Sequence, residues 1–482
     1  MLINAADRCA HIRPEVYGHF SEHLGRCIYD GIYVGEDSEI PNIRGFRRDI
    51  IEAFRKIRVP VLRWPGGCFA DTYRWRDGIG APEQRPKTLN AYWGWTADTN
   101  RFGTHEFFDL CELIGCEPYI AGNLGTGSPR ELFEWLIYIT SAGDCDLAAE
   151  RRRNGREKPW MLKYFGIGNE NWGCGGNMRP EYYADLYKQF QSFTMTFNGQ
   201  KLFKVACGPC GGDYHWTEVL MQNLKPEHAD AISLHFYAVP DWEQKGSATA
   251  FSDEDYARVL QCSYQMETLL TRHSAIMDQY DPERKIGLAV DEWGNWYDTE
   301  EGMNPGFLYQ QNTMRDAVTA AMNLNLFNRH ANRVVMANLA QAVNVLQALI
   351  LTDGEKMLLT PTFHVFDLFK THQDGDAVYC FSQNAELYGS VPMISSSASV
   401  KDSTLTLTLA NCSPEEPAEI CCDICNFNAQ TVRARVLSGD PHDCNTFDVP
   451  DGVHPEPLDA ELLNGVLRLT LPPCAVASVV LE

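Results

Sequence analysis

From about residue 15 to 350 the chain alternates short, continuous apolar runs with stretches of helical periodicity. The runs fall at 59–63, 117–123, 162–168, 204–207, 231–236 and 286–290. They do not alternate apolar with polar, which marks strands covered on both faces of a parallel sheet. Amphipathic segments at 47–56, 104–114, 181–197, 254–280 and 312–330 lie between them. Gly115 closes the second segment in the helix-ending position. Ser128-Pro129-Arg130-Glu131 opens another helix with a capping box and a first-turn proline. With a first strand near 16–20 and a last near 334–337, roughly eight strand–helix units result, the count of a (β/α)8 TIM barrel with its active site at the C-terminal strand ends. A doubly wound open sheet is the alternative, although no Gly-x-Gly-x-x-Gly turn follows the first strand.

The pattern changes after about residue 365, where 403–409 and 466–471 alternate with period two between Pro, Asn and Gly. That is the signature of half-buried strands in an antiparallel, jelly-roll-like β-sandwich. The expected division is therefore an α/β catalytic barrel over 12–362 and a C-terminal β-sandwich over 363–482, with 1–11 as an added strand of the sandwich.

Composition narrows the function more than the fold. Against 41 Lys+Arg stand 64 Asp+Glu, a formal charge of -23. Such a surface repels phosphate backbones and anionic lipid, so neither nucleic acid nor membrane is expected as a partner. A neutral substrate meets no such repulsion. The opening residues carry no basic segment followed by an apolar stretch, and no run of about 18 apolar residues occurs, so a cytoplasmic protein is expected. The 17 cysteines are odd in number in a chain too long to need staples, and in that compartment they read as reduced thiols.

Two carboxylates stand where a barrel places catalysis. Glu170 ends the sequence Gly166-Ile-Gly-Asn-Glu, and Glu292 ends Ala289-Val-Asp-Glu, each immediately after an apolar strand. A carboxyl group desolvated there has its pKa raised and suits a general acid. A second, ionised carboxylate nearby suits a nucleophile. Retaining glycosidases need the pair about 5–5.5 Å apart, inverting ones about 6.5–9.5 Å. The flanking Trp172, Trp293 and Trp296 can stack on sugar faces; the plain alternative is that each Glu caps a helix or pairs with an arginine.

Gly168-Asn169-Glu170 and Asp291-Glu292-Trp293, on what would be barrel strands four and seven, resemble the hallmarks of the large barrel clan of retaining glycosidases. His19-Phe-Ser-Glu-His-Leu-Gly-Arg26, Leu62-Arg-Trp-Pro-Gly-Gly67, Phe102-Gly-Thr-His-Glu-Phe107, residues 337–344 and residues 356–362 narrow the resemblance to the family-51 α-L-arabinofuranosidases, over nearly the whole chain. The resemblance implies Glu170 as acid/base and Glu292 as nucleophile. It implies Glu22 as a sugar-binding glutamate, Asn169 as donor to the 2-hydroxyl, and Arg63 beside the nucleophile. It implies His235 and Tyr237 as orienting the carboxylates, Gln341 as a polar contact to the furanose, and Trp296 as a wall of the subsite. Where many members read Pro-Gly-Gly-Asn, this chain has Cys68, and a thiol is a poor substitute for an amide hydrogen bond. The reaction so implied is removal of terminal non-reducing α-L-arabinofuranosyl residues from oligosaccharides, with retention and no cofactor or metal. A homo-oligomer, often a hexamer, is implied as well. An endo-β-1,4-glucanase or β-xylosidase on the same barrel would keep both glutamates.

Other signals point elsewhere. His19-Phe-Ser-Glu-His23 fits the H-x-x-E-H pattern of a zinc peptidase, which would need both histidines on one helix face, yet Gly18 and Gly25 bracket it. Cys207-Gly-Pro-Cys210 copies a thioredoxin tetrapeptide but precedes a loop rather than opening a helix. Cys421, Cys422 and Cys425 read as buried small hydrophobes of a strand, and 151–156 as a solvated basic loop. Trp93 and Trp95 either floor a sugar subsite or fill the barrel rim. A non-catalytic carbohydrate-binding protein would carry the same aromatics and survive loss of either glutamate.

Overall fold

The computed structural model describes residues 1–382 and 386–482. Eight strands close into a parallel barrel in chain order: Gly18–Phe20, Val61–Trp64, Glu117–Gly122, Tyr164–Ile167, Phe203–Ala206, Ala231–Ala238, Gly287–Asn295 and Val334–Ala340. Val61 pairs with Glu117, and Gly122 with Ile167, which in turn pairs with Ala206. Side chains on both faces of these strands are buried, which is why their sequences read as unbroken apolar runs.

The chain divides into two compact units, Gly18–His235 with Thr271–Glu292, and Met1–Tyr17 with Phe236–Leu270 and Trp293–Glu482. In the first, helices α1 (Arg48–Lys56), α2 (Thr104–Ile114) and α3 (Pro129–Thr140) follow the first three strands. Gly115 ends α2 at φ 85°, and Ser128 and Glu131 cap α3 reciprocally. Trp64 stacks on Phe107 of α2 with ring centroids 4.8 Å apart. Because side chains alternate along a strand, anchoring Trp64 outward turns its neighbour Arg63 into the barrel.

Two local expectations change in this unit. The basic stretch is not a loop: residues 151–153 form the last turn of α4 (Asp146–Arg153), and Arg151 is buried, donating to the carbonyls of Tyr138 and Ser141. The long helix expected over 181–197 stops at Gln191 as α5 (Pro180–Gln191). Ser192 and Thr194 hydroxyls take the carbonyls of Lys188 and Phe190, which offers the backbone an alternative to another helical turn. The unit also holds α6 (Tyr214–Asn223).

In the second unit ten strands form one sheet, in the order Glu456–Pro457, Val432–Ser438, Ala475–Leu481, Thr404–Asn411, Ile394–Lys401, Gly375–Phe381, Leu2–Ile12, Ala418–Cys425, Val466–Leu471 and Ala460–Leu463. The pairings are antiparallel apart from that of Leu2–Ile12 with Ala418–Cys425. Leu405, Leu407, Leu409, Leu467, Leu469, Leu471 and Val479 meet in one core, every second residue of their strands. The same alternation corrects the reading of the cysteine cluster: Cys422 is buried, but Cys421 and Cys425 face solvent.

This unit also contains α8 (Met314–Arg329), α9 (Pro361–Phe369) and α7 (Asp253–Tyr280) as far as Leu270. The amphipathic reading of α8 does not hold, since Met314 to Asn328 are all buried. Its polar positions are matched rather than exposed. Asn325 Oδ1 accepts from the hydroxyls of Ser397 and Thr408, and Asn328 Oδ1 from Tyr17.

Candidate active site

The charged residues singled out from the sequence converge at the C-terminal ends of barrel strands in the first unit. Arg63, 1% exposed, is the organising cation. Its Nη1 donates to Glu292 Oε1 at 2.8 Å and to the Asp291 carbonyl, and its Nη2 donates to Asn169 Oδ1 at 2.5 Å. Asp291 Oδ2 lies 3.6 Å from Arg63 Nε and accepts from Tyr119 at 2.7 Å. Glu292 lies within the seventh strand, which continues to Asn295, rather than following it.

His235, on the sixth strand, bridges the carboxylates. Its Nδ1 is 2.9 Å from Glu170 Oε1 and 3.6 Å from Glu292 Oε2, and its Nε2 is 3.1 Å from Asp291 Oδ1. Burial disfavours the imidazolium, but the Glu292 charge and the hydrogen bonds to Asp291 and Glu170 outweigh it and raise its pKa to about 10. The ring is therefore a cation that donates from both nitrogens. Burial and then the Glu292 charge raise the Glu170 carboxyl above its ordinary range. Burial acts the same way on Asp291, yet Arg63 and His235 reverse it and hold that carboxyl low. One oxygen each of Glu170 and Glu292 lies within 4.8 Å of the other.

Glu170 sits on a constrained turn after the fourth strand. Gly168 takes φ 89° and Glu170 itself φ 43°, a left-handed conformation that costs a residue with a side chain on the order of 1–3 kcal/mol. The turn is held from below by Asp71, whose carboxylate accepts from the amides of Leu124, Gly125 and Asn169. It is closed above by the amides of Gly173 and Gly175, both donating to the Glu170 carbonyl. Because a guanidinium only donates, Asn169 must turn its oxygen to Arg63. Its Nδ2 is then a buried donor with no hydrogen-bond partner among the described residues.

Glu22 follows the first strand and accepts from the Phe69 amide and from Trp93 Nε1 at 2.9 Å. Trp93 is thus tied into the site, while Trp95 is 73% exposed. His19 lies in a strand and His23 in the following loop, where His23 pairs with Asp98 at 2.6 Å and accepts from Trp64 Nε1 at 3.1 Å, so the H-x-x-E-H pattern has no helix beneath it. Tyr237, Trp296 and Gln341 belong to the other unit, where Tyr237 packs edge-on against Trp296 and Trp242 against Trp296.

The reading of Cys68 needs correction. It presents no thiol: it forms a disulfide with Cys174, a residue 106 positions away that the sequence reading missed. The other cysteines are free, so reduced thiols describe all but this pair. Asp71, Asp291 and Tyr119 were also missed. Asp291 was readable as the neighbour of Glu292, but nothing in a single sequence ties Asp71 to a turn almost 100 residues later.

A closed parallel barrel whose strand ends gather two glutamates, two cations and a buried amide donor is the architecture of a glycoside hydrolase. The Alpha-L-arabinofuranosidase 1 domain matches residues 53–255, and the Alpha-L-arabinofuranosidase C-terminal domain matches residues 291–475. An intracellular exo-α-L-arabinofuranosidase of Bacteroides ovatus is 47% identical over 99% of this chain and 94% of its own. The structure of a family-51 arabinofuranosidase from Xanthomonas axonopodis pv. citri superposes with a TM-score of 0.97 at 43% identity, covering 100% of this chain and 99% of that one. An arabinose complex of the α-L-arabinofuranosidase from Thermotoga maritima gives 0.88 at 30% identity, covering 99% and 98%. The chain belongs to the family-51 α-L-arabinofuranosidases and is a glycoside hydrolase.

Proposed function

We propose that the chain removes terminal non-reducing α-L-arabinofuranosyl residues from oligosaccharides with retention of configuration, using Glu292 as nucleophile and Glu170 as acid/base. The observation that carries this reading is that one oxygen of each carboxylate comes within 4.8 Å of the other, which favours the close pair of retaining enzymes over the wider gap inverting ones leave for a water. The different partners support the division of roles. Glu292 is paired with Arg63, whereas Glu170 is desolvated, next to a like charge, and suited to hold a proton.

In the first displacement a Glu292 oxygen attacks the anomeric carbon and the bond to the leaving oxygen breaks. Glu170 gives that oxygen its proton. Because Glu170 Oε1 accepts from His235, the proton is carried on Oε2. In the second, water attacks the anomeric carbon, Glu170 takes its proton, and the bond to Glu292 breaks. Asn169 Nδ2 is available to a sugar hydroxyl, and Glu22 holds another. Arg63, Cys68, His235, Tyr237, Trp296 and Gln341 complete the proposed substrate-binding set. Similarity to the intracellular Bacteroides enzyme supports work inside the cell, and the family resemblance supports a homo-hexamer; fractionation and sedimentation would test these.

Replacing Glu292 with Ala is expected to abolish release of nitrophenol from 4-nitrophenyl α-L-arabinofuranoside. With Glu170→Ala, release from this activated substrate falls and azide restores it as the azide of retained configuration. Rescue of the Glu292 variant with retained configuration, or near-wild-type turnover by either, overturns the assignment.

A further inference from the structure

Both sulfurs of the disulfide face the oxygen that carries the acid's proton. Cys174 Sγ is 3.5 Å and Cys68 Sγ 3.8 Å from Glu170 Oε2. The two sulfurs and the carboxylate oxygen lie within 4.8 Å of one another. Two soft sulfur ligands and one carboxylate are a donor set for a thiophilic divalent cation once the sulfurs are thiolates. We propose that Cys68, Cys174 and Glu170 form a redox-gated site for a soft divalent cation of the zinc or cadmium type, which shuts off hydrolysis when it binds the reduced pair. The inference rests on Glu170 being the acid/base.

The geometry needs only a small opening. Tetrahedral coordination with metal–sulfur distances of about 2.3 Å sets the sulfurs about 3.8 Å apart, beyond a bonded pair but within reach of side-chain rotation. Cys174 lies between Gly173 and Gly175, and Cys68 follows Gly66 and Gly67. The backbone on either side is held independently of the bond. Tyr92 donates to the Cys174 carbonyl at 2.8 Å, and beside Cys68 the Phe69 amide donates to Glu22 Oε1 and the Ala70 amide to the Gly67 carbonyl. Reduction therefore leaves the two thiols and Glu170 gathered at the same place.

The chemistry balances with an external dithiol as reductant. The dithiol gives two electrons and two protons, is itself oxidised to a disulfide, and leaves Cys68 and Cys174 as thiols. The cation then displaces both thiol protons and, from the acid form, the Glu170 proton as well. The leaving oxygen loses its proton donor. In the oxidised protein neither sulfur can ligate as a thiolate, so the disulfide protects the acid from soft metals.

The test uses the full chain in oxidised and phosphine-reduced, desalted forms, titrated anaerobically with Cd2+. The cadmium–thiolate charge-transfer band and release of nitrophenol are read in parallel. Cys68→Ser and Cys174→Ser account for uptake by the exposed Cys9, Cys210, Cys421 and Cys425, each variant being compared with its own metal-free rate. The expected result is one more bound Cd2+ in reduced wild type than in its oxidised form or in either variant. The rate should fall about 100-fold, the low end of what a general acid supplies, and return with EDTA. Equal uptake and equal inhibition in reduced wild type and both variants overturns the proposal. So does an extra bound Cd2+ that leaves the rate unchanged, or loss of the rate on reduction before metal is added. The band reads the site without turnover, so a wrong substrate assignment does not decide it.

Discussion

Gly67 lies where an added methyl group would press directly on the proposed nucleophile. Its φ is -88°, so the left-handed region plays no part, and the neighbours of an added Cβ decide the outcome. A Cβ there would stand 2.8 Å from Glu292 Oε1, 3.4 Å from Phe20 and 3.6 Å from Asn169 Nδ2. Ordinary non-bonded contact begins near 3.4 Å, so the carboxylate oxygen is crowded by about 0.6 Å. It cannot retreat freely, because Arg63 holds the same oxygen at 2.8 Å while also holding Asn169. Misplacing a reacting atom by about 1 Å costs about 100-fold, so Gly67→Ala should lower kcat by about 10- to 100-fold. The overpacking should cost about 1–3 kcal/mol in stability. Steady-state kinetics on 4-nitrophenyl α-L-arabinofuranoside, with urea unfolding beside it, measure both. Gly66→Ala is the matched comparison, since its Cβ would meet Glu22 Cγ at 2.7 Å and so should raise KM more than it lowers kcat. A folded Gly67→Ala enzyme with wild-type kcat refutes the reasoning.

The remaining predictions concern charge. In Glu292→Gln the like charge beside Glu170 is gone, so the Glu170 pKa should fall by carbon-13 NMR titration; no change would remove Glu292 from the account. In wild type the alkaline limb of kcat/KM should lie above the ordinary carboxylate range, and a limb at or below it would mean that Glu170 is not the acid. His235 binds its proton more tightly folded than unfolded. Its contribution to stability is therefore complete below about pH 6.5 and lost as pH rises through about 10. The stability gap between wild type and His235→Asn should narrow over that window, and a gap that widens would overturn the imidazolium assignment.

Much of the architecture was legible because burial on two faces and burial on one face leave different traces. The barrel strands read as continuous apolar runs and the terminal sheet as strict alternation, as at Thr404–Asn411 and Val466–Leu471. Helix ends were legible where a single residue type does the work, as at Gly115 and Ser128. Burial of polar residues was not. α8 carries Asn325 and Asn328 like a solvated face, but hydroxyls of Ser397, Thr408 and Tyr17 meet them inside the unit. A sequence shows a polar side chain without showing whether its partner is water or a residue 70 positions away.

The same division runs through the site. The chain alone determined that Glu170 and Glu292 close apolar runs and that the motifs around them resemble those of family 51, since an apolar run and a local motif are short-range properties. Only the tertiary structure decided that Arg63 and His235 tie Glu292, Asp291 and Glu170 into one charged cluster. It alone placed Asp71 under the Glu170 turn and joined Cys68 to Cys174 beside the acid oxygen. Those relations depend on distances of a few ångströms between residues about 60 to 230 apart in sequence, and barrel closure, not local pattern, brings them together.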